Sequence, residues 1–360
     1  MYSASADDFA ALARSGFTTV GPWYLPIPDR ELLDAAARAG LGVIFPIGDP
    51  RGRANAVFTQ SEAQIHTSIG SRVREMADHP AVVAWYLLPE EVRTWEPAEL
   101  AYLSAATEAI RAADPQRRPI LSYQPNHYDA AALTPVLAHL DVATKGMYAN
   151  YVGQRDSRAW VRWSVDQLEA ASDGPAWVVP EMFQDPADAD AATISAWARH
   201  DVFAGLVAGA RGVLVYSGFR RKGFTRYDDY SAAYRAIAGE LNGPLGLGDV
   251  LLRGTVCPAE STAMTHGFES VTFDVGGTTH RVPALARLET AYAGARWLWL
   301  VSSSPTPVVV SIPGWSRASL VSRSAGVVHD AEQLRLPPWA VVVLRRPRGF
   351  EEKVQRRSGT

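Results

Sequence analysis

Trp85-Tyr86-Leu87-Leu88-Pro89-Glu90-Glu91 decides the reading of this chain. The apolar run from Ala81 to Leu88 is short, β-branched at Val82 and Val83, and does not alternate. A strand buried on both faces reads this way, as in a parallel sheet covered by helices. The run stops abruptly in two carboxylates, at the strand end where α/β barrels place their chemistry. Trp177-Val178-Val179-Pro180-Glu181-Met182 repeats the form. The interval from Glu90 to Glu181 leaves room for roughly three βα units of about 30 residues each.

Outward from these two segments, strand and helix alternate from Ser5 to Leu241. Strands are predicted to begin at Phe17, Leu41, Val82, Ile120, Val142, Trp177 and Gly212, with helices over 5–15, 29–38, 60–77, 97–113, 130–139, 157–171, 191–208 and 230–241. Such alternation predicts a parallel α/β domain. A doubly wound open sheet would satisfy it too, but would concentrate its site at one crevice. Polar or aromatic residues follow nearly every strand here, which favours a (β/α)8 TIM-like barrel. Asn242-Gly243-Pro244-Leu245-Gly246-Leu247-Gly248 reads as a linker. Short strand-like runs follow, separated by turn residues such as Gly276-Gly277 and Pro313-Gly314, and predict a small all-β sandwich. The expected division is a barrel over 1–243, a sandwich over 249–346 and a disordered tail over 347–360, the polar character starting at Arg345. Trp297, Trp299 and Trp339 exceed what a small sandwich needs, so it is expected to pack on the barrel.

The 360 residues are 47% hydrophobic and 20% charged, ordinary for a chain with a sizeable core. A net charge of −3 does not suggest nucleic acid or an anionic membrane as partner. No apolar stretch reaches the roughly 18 residues that span a membrane. Cys257 is the single cysteine, which excludes an intrachain disulfide and a cysteine-based metal cluster. The eight histidines are scattered without zinc-ligand spacing, so no metal is expected. There is no glycine-rich phosphate loop and no Gly-x-Ser-x-Gly elbow, and no cofactor is expected.

Two carboxylates at strand ends suit cleavage of a glycosidic bond. One must be protonated to assist the leaving oxygen, and the other ionised to attack the anomeric carbon or activate water. Glu90 and Glu181 supply that pair; the plainer alternative is that each caps a helix or pairs with an arginine. Other strand ends carry candidates for substrate contact: Trp23, Asp49, Glu91, Tyr123, Asn126, Lys145, Tyr148 and Tyr216. Lys145 lies inside an apolar strand and needs a partner, either a sugar group or an internal salt bridge. Arg220, Arg221 and Lys222 either bind an acidic sugar or form a solvated loop, the latter being the blander account.

The stretch Ala84 to Glu90, with its aromatic strand ending in Glu, resembles the fourth strand of the retaining glycoside hydrolases of clan A. In that clan the acid/base Glu ends strand four and the nucleophile Glu ends strand seven. The resemblance implies that Glu90 is the acid/base, Glu181 the nucleophile, and Tyr148 a hydrogen-bond donor to the nucleophile. It covers the chain to about Leu241 in architecture and is confined to strand ends in residues. Pro89 stands where the clan commonly has Asn, and Tyr216 where it often has Trp. Glu91 is the alternative acid, although adjacent strand residues point to opposite faces. The strand count holds only if one strand precedes Phe17, so Met1-Tyr2-Ser3 is expected to be a stub of strand one. A gap is then expected between the Phe17 and Gly212 strands, with an export signal conceivable upstream. A non-catalytic carbohydrate-binding protein and a transglycosylase are the competing functions.

Overall fold

The computed structural model describes residues 1, 6–21, 29–52, 54, 56–186, 188–258, 263–330 and 332–347. The first part runs α1 (Phe9–Arg14), β1 (Thr19–Val20), α2 (Asp29–Arg38), β2 (Gly42–Ile47), α3 (Glu62–Met76), β3 (Val82–Leu87), α4 (Pro97–Ala113) and β4 (Ile120–Leu121). It continues through α5 (Ala130–Leu137), β5 (Ala143–Met147), α6 (Trp160–Ala171), β6 (Ala176–Pro180), α7 (Ala191–Ala208), β7 (Gly212–Val213), α8 (Tyr227–Asn242) and α9 (Leu247–Arg253). Local chemistry starts several helices: Ser61 and Gln64 form a capping box on α3, and the Asp190 side chain accepts the Thr193 N–H at 2.8 Å on α7. Pro97 opens α4, where its missing N–H costs nothing.

All strand pairs in this part are parallel, in two arcs ordered β1-β2-β3-β4 and β5-β6-β7. The arcs meet at β4 and β5, where Asp141 N–H donates to Ile120 O at 2.9 Å and Thr144 Oγ1 to Ser122 O at 2.8 Å. Strand alternation then sorts the side chains. Ile44, Ala84, Tyr86, Leu88, Leu121, Val142, Tyr148, Val179 and Leu214 fill the inside of the curved sheet. Phe45, Trp85, Leu87, Ile120, Met147 and Val178 face the helices.

At the open side, Met1 lies along β1, its nitrogen donating to Thr19 O at 3.0 Å and its carbonyl accepting from Gly21 N–H at 2.9 Å. Among the described residues β1 and β7 do not pair. A cavity of about 180 Å³ separates them, lined by Met1, Thr19, Gly212, Val213 and side chains of α7 and α8. It falls between the Phe17 and Gly212 strands, where a gap is expected; of the expected stub Met1-Tyr2-Ser3, all but Met1 lies outside the described residues.

The second part contains β8 (Thr255–Val256), β9 (Ala263–His266), β10 (Ser270–Val275), β11 (Thr278–Pro283), β12 (Leu285–Tyr292) and β13 (Ala295–Ser302). It ends with β14 (Val308–Ser311), β15 (Ser319–Arg323), β16 (Val328–Asp330), β17 (Gln333–Leu336) and β18 (Val341–Pro347). One antiparallel sheet is ordered β15-β18-β13-β12-β8, a second β16-β17-β14-β9, and β10-β11 is a hairpin. Leu298, Leu300, Val342 and Leu344 of the first sheet meet Val308, Val310, Leu334 and Leu336 of the second. The outer face of β13 turns Trp297, Trp299 and Val301 into the same core as the barrel helices.

Two expectations need correction. The linker-like stretch leads into α9, because Leu247, Val250 and Leu251 recur at helical spacing and are all buried. Residues 345–347 are not tail but the end of β18, paired with β13. Arg345 stacks on Trp297 at 5.6 Å, and Arg346 on Trp315 at 4.4 Å while donating to Gly314 O at 2.6 Å. Their long apolar stems let two arginines end a strand that reads as polar. The rest of the expected tail lies outside the described residues.

Phe203 of α7 stacks on Trp299 at 6.3 Å, and Trp197 meets Trp339 edge-on at 5.8 Å. Trp299 is fully buried. Trp299→Ala should therefore cost about 3–5 kcal/mol, measured by urea denaturation. The wild-type chain should unfold in one transition by both fluorescence and circular dichroism. Two separated transitions would mean that the two parts are merely tethered.

Candidate active site

Glu90 continues the inward series of Ala84, Tyr86 and Leu88 past the end of β3, through a cis Leu88–Pro89 bond. The Tyr86 hydroxyl donates to its carboxylate in a short hydrogen bond. Burial pushes the Glu90 carboxyl up to about 7; the Tyr86 bond opposes this and the neighbouring Glu91 charge adds to it. Glu91 is exposed, with φ of 57°, and its N–H donates to Tyr123 O at 3.0 Å. The chain has left the strand geometry there, and the two adjacent carboxylates face different surroundings.

Glu181 follows β6 and is bridged by its backbone to Tyr216, beyond β7. Its side chain is 2% exposed. Oε1 accepts the Asn150 N–H at 2.7 Å and Oε2 the Tyr151 N–H at 3.2 Å. Behind them lies a buried charge network. The Arg158 guanidinium donates to Asn150 Oδ1 at 2.9 Å and holds Asp201 through Nε at 2.9 Å and through Nη2. His200 Nδ1 lies 3.0 Å from Asp201 Oδ1, and its Nε2 lies 2.9 Å from Ser303 Oγ, just beyond β13. Arg158 and His200 hold the Asp201 carboxyl below its usual range, while burial keeps His200 low. The consistent arrangement has a neutral imidazole donating to the Asp201 carboxylate and accepting from Ser303. Burial pushes Glu181 up to about 7 against the pull of Arg158 and the two N–H groups.

A row of aromatic rings runs beside Glu90 and ends at Tyr216, whose backbone bridges to Glu181. Tyr123 stacks on Tyr148 at 5.8 Å, and Tyr148 on Tyr216 at 5.6 Å. The Glu90 charge acts on all three hydroxyls, helping burial to raise them. Phe183 packs edge-on against both Tyr148 and Tyr216, at 5.0 and 5.7 Å. Asn126 accepts from the Tyr123 hydroxyl at 2.7 Å. Gly146 makes room for that pair: a Cβ there would lie 1.8 Å from Asn126 Oδ1 and 2.4 Å from Tyr123 Oη. Asp49, past β2, accepts the Arg51 N–H at 2.8 Å, and its charge reaches Tyr102, whose hydroxyl donates to Leu88 O at 2.8 Å.

No family model matches this chain, and no curated protein matches its sequence. Solved structures do match its shape. A glycoside hydrolase family 5 protein from Bacteroides vulgatus superposes with a TM-score of 0.60 at 12% identity, over 94% of this chain and 86% of that one. Eubacterium rectale Amy13B gives 0.59 at 9%, over 95% and 90%. A family 39 glycoside hydrolase from Bacteroides cellulosilyticus gives 0.55 at 13%, over 96% and 80%. The fold is that of the barrel glycoside hydrolases. Among the described strands, Glu90 follows β3 and Glu181 follows β6.

Several expected site residues sit otherwise than foreseen. Lys145 is not at the mouth: Gly146 and Tyr148 face inward, so alternation sends Lys145 out against α6. It is fully buried, Nζ donating to Tyr128 O at 2.7 Å and lying 4.4 Å from the Trp163 ring. Burial depresses its ammonium to about 7. Tyr148 does not bond to Glu181 among the described residues; the Asn150 and Tyr151 peptides take that place. Trp23 lies outside the described residues. Tyr86 escaped the sequence reading although it sits on the inward face four residues before Glu90. Arg158, Asp201 and His200 had no signal, since only the fold brings them under Glu181.

A carboxyl raised by burial binds a proton in the native state that the unfolded chain has already lost. Glu90 should therefore lower stability as pH rises from about 4.5 to 7, leaving the native state destabilised above that window. Glu90→Gln should stabilise the protein more at pH 8 than at pH 5, by about 2–3 kcal/mol, read from denaturation midpoints at the two pH values. An equal effect at both would show that Glu90 is not desolvated.

Proposed function

We propose that this chain is a glycoside hydrolase that cleaves an O-glycosidic bond with retention of configuration. The supporting observation is the pair of buried strand-end carboxylates, Glu90 and Glu181, both raised by burial but differing in what opposes it. Glu90 adjoins a second carboxylate and accepts from the neutral Tyr86 hydroxyl, which favours the protonated form. Glu181 has two peptide donors and a nearby guanidinium, which favour the ionised form. In this reading Glu181 attacks the anomeric carbon while Glu90 protonates the departing oxygen. Glu90, now ionised, then takes a proton from water as the water displaces Glu181 from the glycosyl intermediate. Tyr123, Tyr148 and Tyr216 supply aromatic surface and hydroxyls for the sugar, with Asn126, Asp49 and Glu91 at the same strand ends. No metal or cofactor enters the reaction.

Screening aryl glycosides tests the reading. The wild-type chain should turn over at least one, and Glu181→Ala should abolish turnover. Glu90→Ala should cost about 10²–10⁴-fold on substrates with poor leaving groups and much less on activated ones. Added azide should rescue Glu181→Ala as an inverted glycosyl azide. Sugar binding by both proteins without turnover would make this a binding protein on a barrel scaffold. Products longer than the substrate would make it a transglycosylase.

One carboxyl must be protonated and the other ionised, and both lie at about 7. The kcat/KM profile should be a narrow bell centred near pH 7, falling about tenfold per pH unit on each side. With an activated aryl glycoside, Glu90→Gln should lose the alkaline limb and keep the acid one. A profile flat from pH 5 to 9 would contradict both assignments.

A further inference from the structure

Three basic residues follow β7, and each has a different setting. Arg220 pairs with Asp228 and lies over the Tyr227 ring at 4.2 Å. Lys222 is exposed. Arg221 folds back to the strand ends. Its guanidinium carbon lies 5.5 Å from the centre of the Tyr216 ring and 5.7 Å from those of Phe183 and Phe219. Nη1 donates to Ser217 Oγ at 2.8 Å and more weakly to Phe219 O at 3.3 Å. The Tyr216 hydroxyl is a further side-chain partner. Every one of these partners is neutral, and among the described residues no carboxylate pairs with Arg221.

That setting is chemically incomplete. A guanidinium carries five N–H donors in a planar fork that matches a carboxylate two bonds at a time. Here the cation is half-buried against aromatic faces, which strengthens any ion pair it makes. Of these faces, Tyr216 and Phe183 belong to the aromatic row beside Glu90, and the Tyr216 backbone bridges to Glu181. Phe219 and Tyr151 stand exposed at the rim, 54% and 61% accessible, so this side is open to solvent. Two other buried cations are committed: Arg158 to Asp201 and Lys145 to the Tyr128 carbonyl. Glu90 and Glu91 lie close enough for their charges to act on the Tyr216 hydroxyl, and an acidic substrate needs a cation there to offset them.

We infer that Arg221 is the anion-recognising residue of the sugar subsite, and that the substrate is the glycoside of a uronic acid whose ring carboxylate pairs with it. This rests on the glycosidase reading for turnover but not for binding, so the two can fail separately. The test uses matched 4-nitrophenyl substrates, glucuronide against glucoside and galacturonide against galactoside, with the full chain, Arg221→Gln and Arg221→Lys. A uronide should exceed its neutral partner in kcat/KM by about 10–100-fold, the range of a charge-assisted hydrogen bond. Arg221→Gln should bring the pair close to parity by lowering the uronide far more than the neutral sugar, with an unchanged circular-dichroism spectrum and denaturation midpoint showing the fold intact. Arg221→Lys should keep part of the preference. In parallel, NMR titration of each protein with free glucuronate, galacturonate and their neutral sugars reads binding without turnover. Arg221-dependent uronate binding with no cleavage of any substrate would sink the glycosidase reading and leave the inference standing. A neutral sugar preferred or equal in both assays, or a preference that survives Arg221→Gln, would overturn the inference.

Discussion

The Arg158–Asp201 ion pair is the interaction on which this architecture turns. Each partner is 1% exposed at its side chain, and either alone would leave an uncompensated charge in the core. Arg158 precedes α6, and Asp201 belongs to α7. Their pairing fixes the loop after β5, whose peptide N–H groups then face the Glu181 carboxylate. Through His200 the same pair reaches Ser303 beyond β13. One charge pair thus ties a strand-end loop, an α7 side chain and the β-sandwich to a single geometry. Arg199 repeats the device one turn-face away, bonding Glu240 of α8 and Ser322 of β15.

Those contacts explain why α7 lacks a solvent face over most of its length. From Trp197 to Leu206 every residue is buried, including Arg199, His200 and Asp201. The helix lies between the parallel sheet and the sheet containing β13, so its apolar residues serve two cores. Its polar ones must then find partners inside the protein, since an unpaired buried polar group is costly. A sandwich docked this way is part of the barrel's helical layer, and its Ser303 shares in orienting groups beneath Glu181.

The sequence made legible whatever depends on local periodicity. Buried strands read as apolar runs, and their ends located Glu90 and Glu181; the helices between them followed from the alternation. Facing direction was harder. Lys145 counted as a mouth residue because it stands near a strand end, yet the inward Gly146 and Tyr148 assign it the opposite face. Residues 242–248 read as linker because their three glycines and Pro244 hid the start of α9 at Leu247. The Arg158–Asp201–His200 chain was illegible in principle, since its members come from separate elements and no spacing connects them. Arg221 was visible as a charge, but only the folded loop distinguishes it from Arg220, which has a carboxylate, and Lys222, which is exposed.

Stability and site chemistry pull in opposite directions here. Burying Glu90, Glu181 and Lys145 shifts all three toward neutrality, each at a cost to the native state when charged. The open seam between β1 and β7 adds a cavity that leaves neighbouring side chains without packing partners. Tyr234 stands at both places: it lines that cavity, and its hydroxyl donates to the Glu181 carbonyl at 2.9 Å. The seam and the candidate site are therefore connected through one side chain. The offsetting term is the apolar interface of α7 with Trp297, Trp299 and Val301, where burial is complete or nearly so. On this argument the β-sandwich does more than extend the chain, because its docking offsets the cost of desolvated carboxylates that an unbraced barrel would bear alone.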